Sequence, residues 1–120
     1  MPQYKQGDIV LAWVRDPEGS RIGWPHPAII LNKTADISPE KRIVVIAITK
    51  SFTRALPVGH FIMPCDERTG LTEPCVAKCE WKVAINYDDI KLRMGFTPPD
   101  LWDQIVAEIL HRQAMKKRDR

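Results

Sequence analysis

The chain lacks most of the features that assign a protein to a class by composition alone. It holds three cysteines in 120 residues, Cys65, Cys75 and Cys79. An odd number in so short a chain argues against a disulfide framework. No segment approaches the roughly 18 consecutive apolar residues that span a bilayer. The opening Met1-Pro2-Gln3-Tyr4-Lys5-Gln6 is polar and has no signal-peptide apolar core, so a cytoplasmic protein is expected. Internal repeats and low-complexity runs are missing as well. Charge of one sign is scarce outside a short tail. The formal net charge is +3, and Lys116-Lys117-Arg118-Asp119-Arg120 alone supplies it. Removing those five residues from the 18 basic and 15 acidic ones leaves 14 of each. One domain over 1–115 followed by a basic tail over 116–120 is the organisation expected, and the net charge by itself selects no partner.

What is present is a series of short apolar runs separated by polar loops. Strands are expected at Asp8–Val14, His26–Asn32, Arg42–Thr49, His60–Met63 and about Cys75–Ile85. Arg42-Ile-Val-Val-Ile-Ala-Ile-Thr49 is the clearest, being β-branched throughout its middle. The run Ala28-Ile29-Ile30-Leu31 is continuously apolar, which predicts burial on both faces. Tyr87-Asp88-Asp89-Ile90 reads as one helical turn. The last element is a helix, with Thr97 as its expected N-cap, Pro98 at the first helical position and Asp100 at the positive end of the dipole. Leu101, Trp102, Ile105, Val106, Ile109 and Leu110 recur at helical spacing and form its apolar stripe. Five short strands and one terminal helix predict a mainly β protein, a small and strongly bent antiparallel sheet or barrel.

Trp24-Pro25-His26-Pro27 places a titratable ring, fenced by two prolines, at the start of the second strand. Each proline fixes its own φ and biases the preceding residue towards extended geometry. If strands two and three pair antiparallel, the start of one lies beside the end of the other. His26 and Thr49 then share one edge, next to Lys50, Ser51 and Arg54. Glu80, Trp81 and Lys82 on the fifth strand are candidates to complete a groove there. Cleavage of RNA through its own 2′-OH needs a base for that hydroxyl, an acid for the leaving oxygen and donors for phosphate charge, and no metal. A polar rim without chemistry would carry the same residues.

The cysteines offer a competing constellation. His60, Cys65, Cys75 and Cys79 together supply enough groups for one tetrahedral zinc ion. Cys75 and Cys79 lie four apart in an expected strand, which sets them about 13 Å apart on one face. Buried thiols acting as small apolar groups are the simpler expectation, with neither metal nor cofactor.

The order of motifs resembles the PemK/MazF-like toxins of bacterial toxin–antitoxin systems. The matching pieces are Gly7-Asp8-Ile9-Val10-Leu11, the loop with Gly19-Ser20 and Gly23, Pro27-Ala28-Ile29-Ile30-Leu31, and Val44-Val45-Ile46-Ala47-Ile48-Thr49, within a likeness that runs from about Lys5 to Leu110. The resemblance implies an SH3-like barrel with a C-terminal helix, usually a homodimer. It implies a metal-independent endoribonuclease acting on single-stranded RNA, held in check by an antitoxin. In that family an Arg precedes the Pro-Ala pair; here His26 stands in its place. Thr49 matches a Thr or Ser that helps bind the scissile phosphate. Cys79-Glu80 stands where many relatives carry Asp-Gln. On this reading His26 acts as general acid or base, and Thr49 donates to the phosphate. Trp24, Lys50, Ser51, Arg54, Glu80 and Lys82 bind substrate, and Arg21 is the candidate to replace the missing Arg. A catalytically inactive barrel that binds a peptide or nucleic acid is the alternative.

Overall fold

The computed structural model describes residues 3–15, 18–50 and 56–118, and side chains as far as Lys116. Six strands form one sheet: β1 (Asp8–Ala12), β2 (His26–Ile30), β3 (Ile43–Thr49), β4 (His60–Met63), β5 (Cys75–Ile85) and β6 (Ile90–Phe96). Among the described residues one α-helix is present, α1 (Pro99–Arg118), after β6. The strand order is β4-β5-β3-β2-β1-β6, and every pairing is antiparallel. Among the described residues no helix is long and apolar enough to cross a membrane.

Alternation along the strands divides the core in two. Ile9, Ile29, Ile46 and Ile48 face one cluster, which Ile105 of α1 joins and on which Leu101, Trp102 and Ile109 pack. Val10, Ala28, Ile30, Ile43 and Val45 face the other. This explains the uninterrupted apolar runs, because both faces of the central strands are buried. One helix can cover only the first face. The second is closed by the sheet itself, since Ile85 at the end of β5 and Ile90 at the start of β6 fold into it. The result is a bent, barrel-like sheet, as the sequence predicts.

The structure corrects three local expectations. A sixth strand, β6, occupies a stretch to which sequence reading assigned no element. Its alternation of Ile90, Leu92, Met94 and Phe96 is regular, but Leu92 and Phe96 are exposed on the sheet's edge. Thr97 does not cap α1. Its hydroxyl and its N–H both donate to the Gly7 carbonyl, at 2.8 and 2.9 Å, and the first helical bond runs from Trp102 N–H to the Pro98 carbonyl. Leu110, placed in the apolar stripe, is exposed. The Tyr87–Asp89 turn is present as a 3₁₀ turn.

β6 is held by close backbone contact with the Asp66–Gly70 turn between β4 and β5. Phe96 N–H donates to the Arg68 carbonyl at 2.7 Å, and Gly95 is buried against the same segment. A Cβ at Gly95 would collide with the backbone of Arg68 and Thr69, which no side-chain rotation relieves. Gly95→Ala should therefore cost about 1–3 kcal/mol. Thermal unfolding should show a fall in Tm of about 4 °C per kcal/mol for a chain of this size, and an unchanged Tm would contradict this packing.

Candidate functional site

β2 and β3 pair with Ala28 opposite Ala47, Ile29 opposite Ile46 and Ile30 opposite Val45. This register carries His26 towards Thr49, and both line one cleft of about 340 Å³ around the ends of the two strands. Trp24, Lys50 and Cys75 line it too. Parity sets the side from which each residue enters. His26 follows Ala28 and Ile30, and Thr49 follows Val45 and Ala47, so both stand at the rim of the second core.

The imidazole of His26 is in ring contact with two indoles. The Trp24 ring is tilted by 31° at a centroid separation of 6.0 Å, and Trp81 approaches at 62° and 5.9 Å. Burial lowers the His26 pKa from its ordinary value, because desolvation disfavours the imidazolium. The ring therefore remains a neutral proton acceptor to a lower pH than a free histidine. Lys50 brings positive charge to the cleft but is tied to Glu73, its ammonium 2.8 Å from the carboxylate. The hydrogen bond that Lys50 donates to Glu73, and the carboxylate's charge, raise the Lys50 pKa.

Other residues read from the sequence lie elsewhere. Arg21 stacks over the Trp13 ring at 5.2 Å and donates to Asp89 Oδ1 at 3.2 Å. Arg15 donates to the same carboxylate through Nε and Nη2, at 2.9 and 2.8 Å, and the Asn86 N–H adds a bond of 2.9 Å. Asp89 is fully buried at the centre of this knot. Burial pushes its carboxyl up, but Arg15, the Asn86 N–H and Arg21 together hold it below the usual carboxylate range. Arg21 thus secures the loop leading to Trp24 and does not line the His26 cleft. Glu80 and Lys82 also point away, towards a groove beside α1, where Glu80 sits 2.6 Å from His60 Nε2. The register of β3 against β5 jumps from Ile46–Lys82 to Ile48–Ala77, and this bulge sets Trp81 on the side of Val83 and Ile85, facing His26. Ser51 and Arg54 lie outside the described residues.

Beyond Trp81 the surface opens into a second, larger groove of about 600 Å³, lined by Arg15, Ile22, Arg42 and Trp81. Arg42 was not a sequence candidate, and its place one residue before β3 gave no signal of a groove. The zinc constellation does not assemble: among the described residues no three His, Cys, Asp or Glu side chains converge. Burial pushes the Cys79 thiol up to about 11, and burial and Glu73 raise that of Cys75. Both are neutral at physiological pH and suit apolar packing.

The comparisons with known proteins fit this geometry. The PemK-like, MazF-like toxin family of type II toxin–antitoxin systems matches residues 5–111. The chain belongs to this family. Toxins with this fold have been solved from mycobacteria. An endoribonuclease in complex with its cognate antitoxin, from a mycobacterial species, superposes with a TM-score of 0.66 at 17% identity, over 92% of this chain and 95% of that one. A second mycobacterial endoribonuclease gives 0.70 at 12% identity, over 95% and 94% of the two chains. The Mycobacterium tuberculosis toxin MazF-mt6 gives 0.64 at 17% identity, over 85% and 91%. At such identities these neighbours establish the shared toxin fold. No curated protein sequence matches the chain.

Proposed function

We propose that this toxin-family chain is a metal-independent endoribonuclease that cleaves single-stranded RNA through the RNA's own 2′-OH. The observation that carries the reading is the meeting of His26 and Thr49 in one cleft at the rim of the sheet. Neutral His26 accepts the proton of the 2′-OH, and the 2′-oxygen attacks the adjacent phosphorus. The bond from phosphorus to the 5′-oxygen breaks, a 2′,3′-cyclic phosphate forms, and the 5′-oxygen leaves with a proton from solvent. Thr49 donates to a non-bridging oxygen as charge develops on the phosphate. A histidine cannot reproduce the planar two-point grip of an arginine on phosphate, so His26 exchanges phosphate affinity for proton transfer. An antitoxin as inhibitor, a homodimer as the working form and a cytoplasmic setting belong to the same reading. The mycobacterial neighbour held by its cognate antitoxin supports the first of these. A catalytically inactive module on this fold is not favoured by the toxin-family match.

The test is incubation of a mixed-sequence, unstructured RNA with the purified protein in excess EDTA. Wild type should cut it. Intact RNA under these conditions, with cutting restored by a divalent cation, would contradict the mechanism. The Lys50–Glu73 pair supports a second expectation. Both side chains are largely exposed, so Glu73 screens Lys50 without burying it. Glu73→Gln should tighten RNA binding a few-fold at low salt, with the gain shrinking as salt rises. Titrations of a labelled oligonucleotide at two ionic strengths check this, and unchanged affinity would remove Lys50 from the substrate path.

A further inference from the structure

We propose that Trp24 and Trp81, the two indoles that meet His26, form a platform on which the nucleobases flanking the scissile phosphate of a single-stranded RNA stack, one on each ring. This rests on the ribonuclease reading of the His26 cleft and adds to it how the strand is held. Trp24 is 69% exposed although it is a large aromatic fixed in place by Pro25, and its ring lies beside the imidazole. Burial in a core therefore does not account for this indole. Trp81 also meets the imidazole, edge to face at 5.9 Å, and lines the Arg42 groove. His26 thus contacts both indoles, one lining the cleft that holds Thr49 and the other the groove that holds the exposed Arg42.

The chemistry calls for such a pair. Attack by the 2′-oxygen requires it to stand in line with the departing 5′-oxygen, and reacting atoms must be aligned before the step is fast. Two bases stacked on one another in a helical strand hold the 2′-oxygen off that line. Bases parted onto separate indoles release the linkage between them, with the phosphate over His26. Aromatic stacking recognises unpaired bases of any sequence, because every base presents a π-face. Arg42 supplies the backbone contact at the far end of the groove, where a cation neutralises phosphate without reading sequence. The substrate class that fits is an unpaired strand, and a duplex is excluded because its bases are already stacked and paired.

The experiment measures binding without cleavage. The probe is a fluorescently labelled, mixed-sequence single strand that is 2′-deoxy throughout and so lacks the nucleophile. A fully abasic strand of the same length is the second probe. Trp24→Ala and Trp81→Leu should each weaken binding of the first probe by about tenfold or more. Trp81→Phe, which keeps a ring, should stay within about threefold of wild type. The abasic strand should bind wild type about as weakly as it binds the two ring-deleted variants. Equal affinity of wild type and Trp24→Ala for the base-bearing probe would overturn the proposal, as would wild type failing to distinguish the two probes. Loss of binding in Trp81→Phe equal to that in Trp81→Leu would also overturn it, since packing and not stacking would then explain the loss. Failure of the platform is separable from failure of the ribonuclease reading. Wild type that cuts RNA in EDTA, with Trp variants that bind normally, refutes only the platform.

Discussion

Replacing His26 by Ala should lower the rate of RNA cleavage by about two to four orders of magnitude, the usual contribution of a positioned proton-transfer group. His26 is partly exposed at the start of β2 and belongs to neither core cluster, so the variant should fold as wild type does. The pH dependence separates a proton acceptor from a merely structural ring. Desolvation lowers the His26 pKa, so the neutral base persists below the ordinary histidine value of about 6.5. The acidic limb of kcat/KM against pH should fall below that value in wild type and vanish in His26→Ala. The stability linkage has the same direction. A histidine with a lowered folded pKa is protonated more readily in the unfolded chain, so its contribution is complete above about 6.5 and is lost as pH falls through the folded value. An acidic limb unchanged in His26→Ala would reassign the base.

Asp89→Ala should produce the largest loss of stability among the changes considered. Its carboxylate is fully buried and accepts four hydrogen bonds, three from Arg15 and Arg21 and one from the Asn86 N–H. Removing it leaves the Asn86 N–H and two guanidiniums without their acceptor. Breaking a buried pair costs about 3–5 kcal/mol, and the lower end applies because Arg15 and Arg21 can reach solvent. A fall in Tm of about 10 °C is expected. The effect is pH-dependent with a defined sign. The Asp89 pKa is lowered in the folded chain, so its contribution is complete above the unfolded carboxylate value near 3.9 and is lost as pH falls through the folded value. The wild-type advantage over Asp89→Ala should therefore shrink on acidification and persist unchanged from about pH 5 upward. The knot also anchors the loop that leads to Trp24, so RNA binding should weaken together with stability. Melting curves of both proteins at pH 7 and pH 3 measure this, and equal Tm values at pH 7 would contradict the assignment.

The parts of the site that were legible in the sequence follow from adjacency along the chain. β2 and β3 are consecutive apolar strands, and antiparallel pairing of neighbours brings the start of one to the end of the other. That places His26 near Thr49 with no long-range information. The parts that were not legible depend on partners far away in the chain or on a break in regularity. Arg21 is captured by Asp89, 68 residues onward, and nothing local to Arg21 announces that buried carboxylate. Glu80, Trp81 and Lys82 read as one cluster, but a strand sends alternate side chains to opposite faces. Only the bulge in β5 decides that Trp81, and not its neighbours, faces His26. β6 was missed because its apolar residues alternate with charges on an edge strand and a glycine, Gly95, stands within it. The reason for that glycine, the Arg68 and Thr69 backbone, appears only in three dimensions.

The proposed cleavage uses the RNA's own 2′-hydroxyl as nucleophile. Two single strands of identical sequence test it most directly, one all-ribose and one with every 2′-OH methylated, each incubated with wild type in EDTA and the products read by mass. The ribose strand should be cut, leaving a 2′,3′-cyclic phosphate on one fragment and a 5′-hydroxyl on the other, and the methylated strand should survive. Cleavage of the methylated strand, or fragments with a 5′-phosphate, would contradict it.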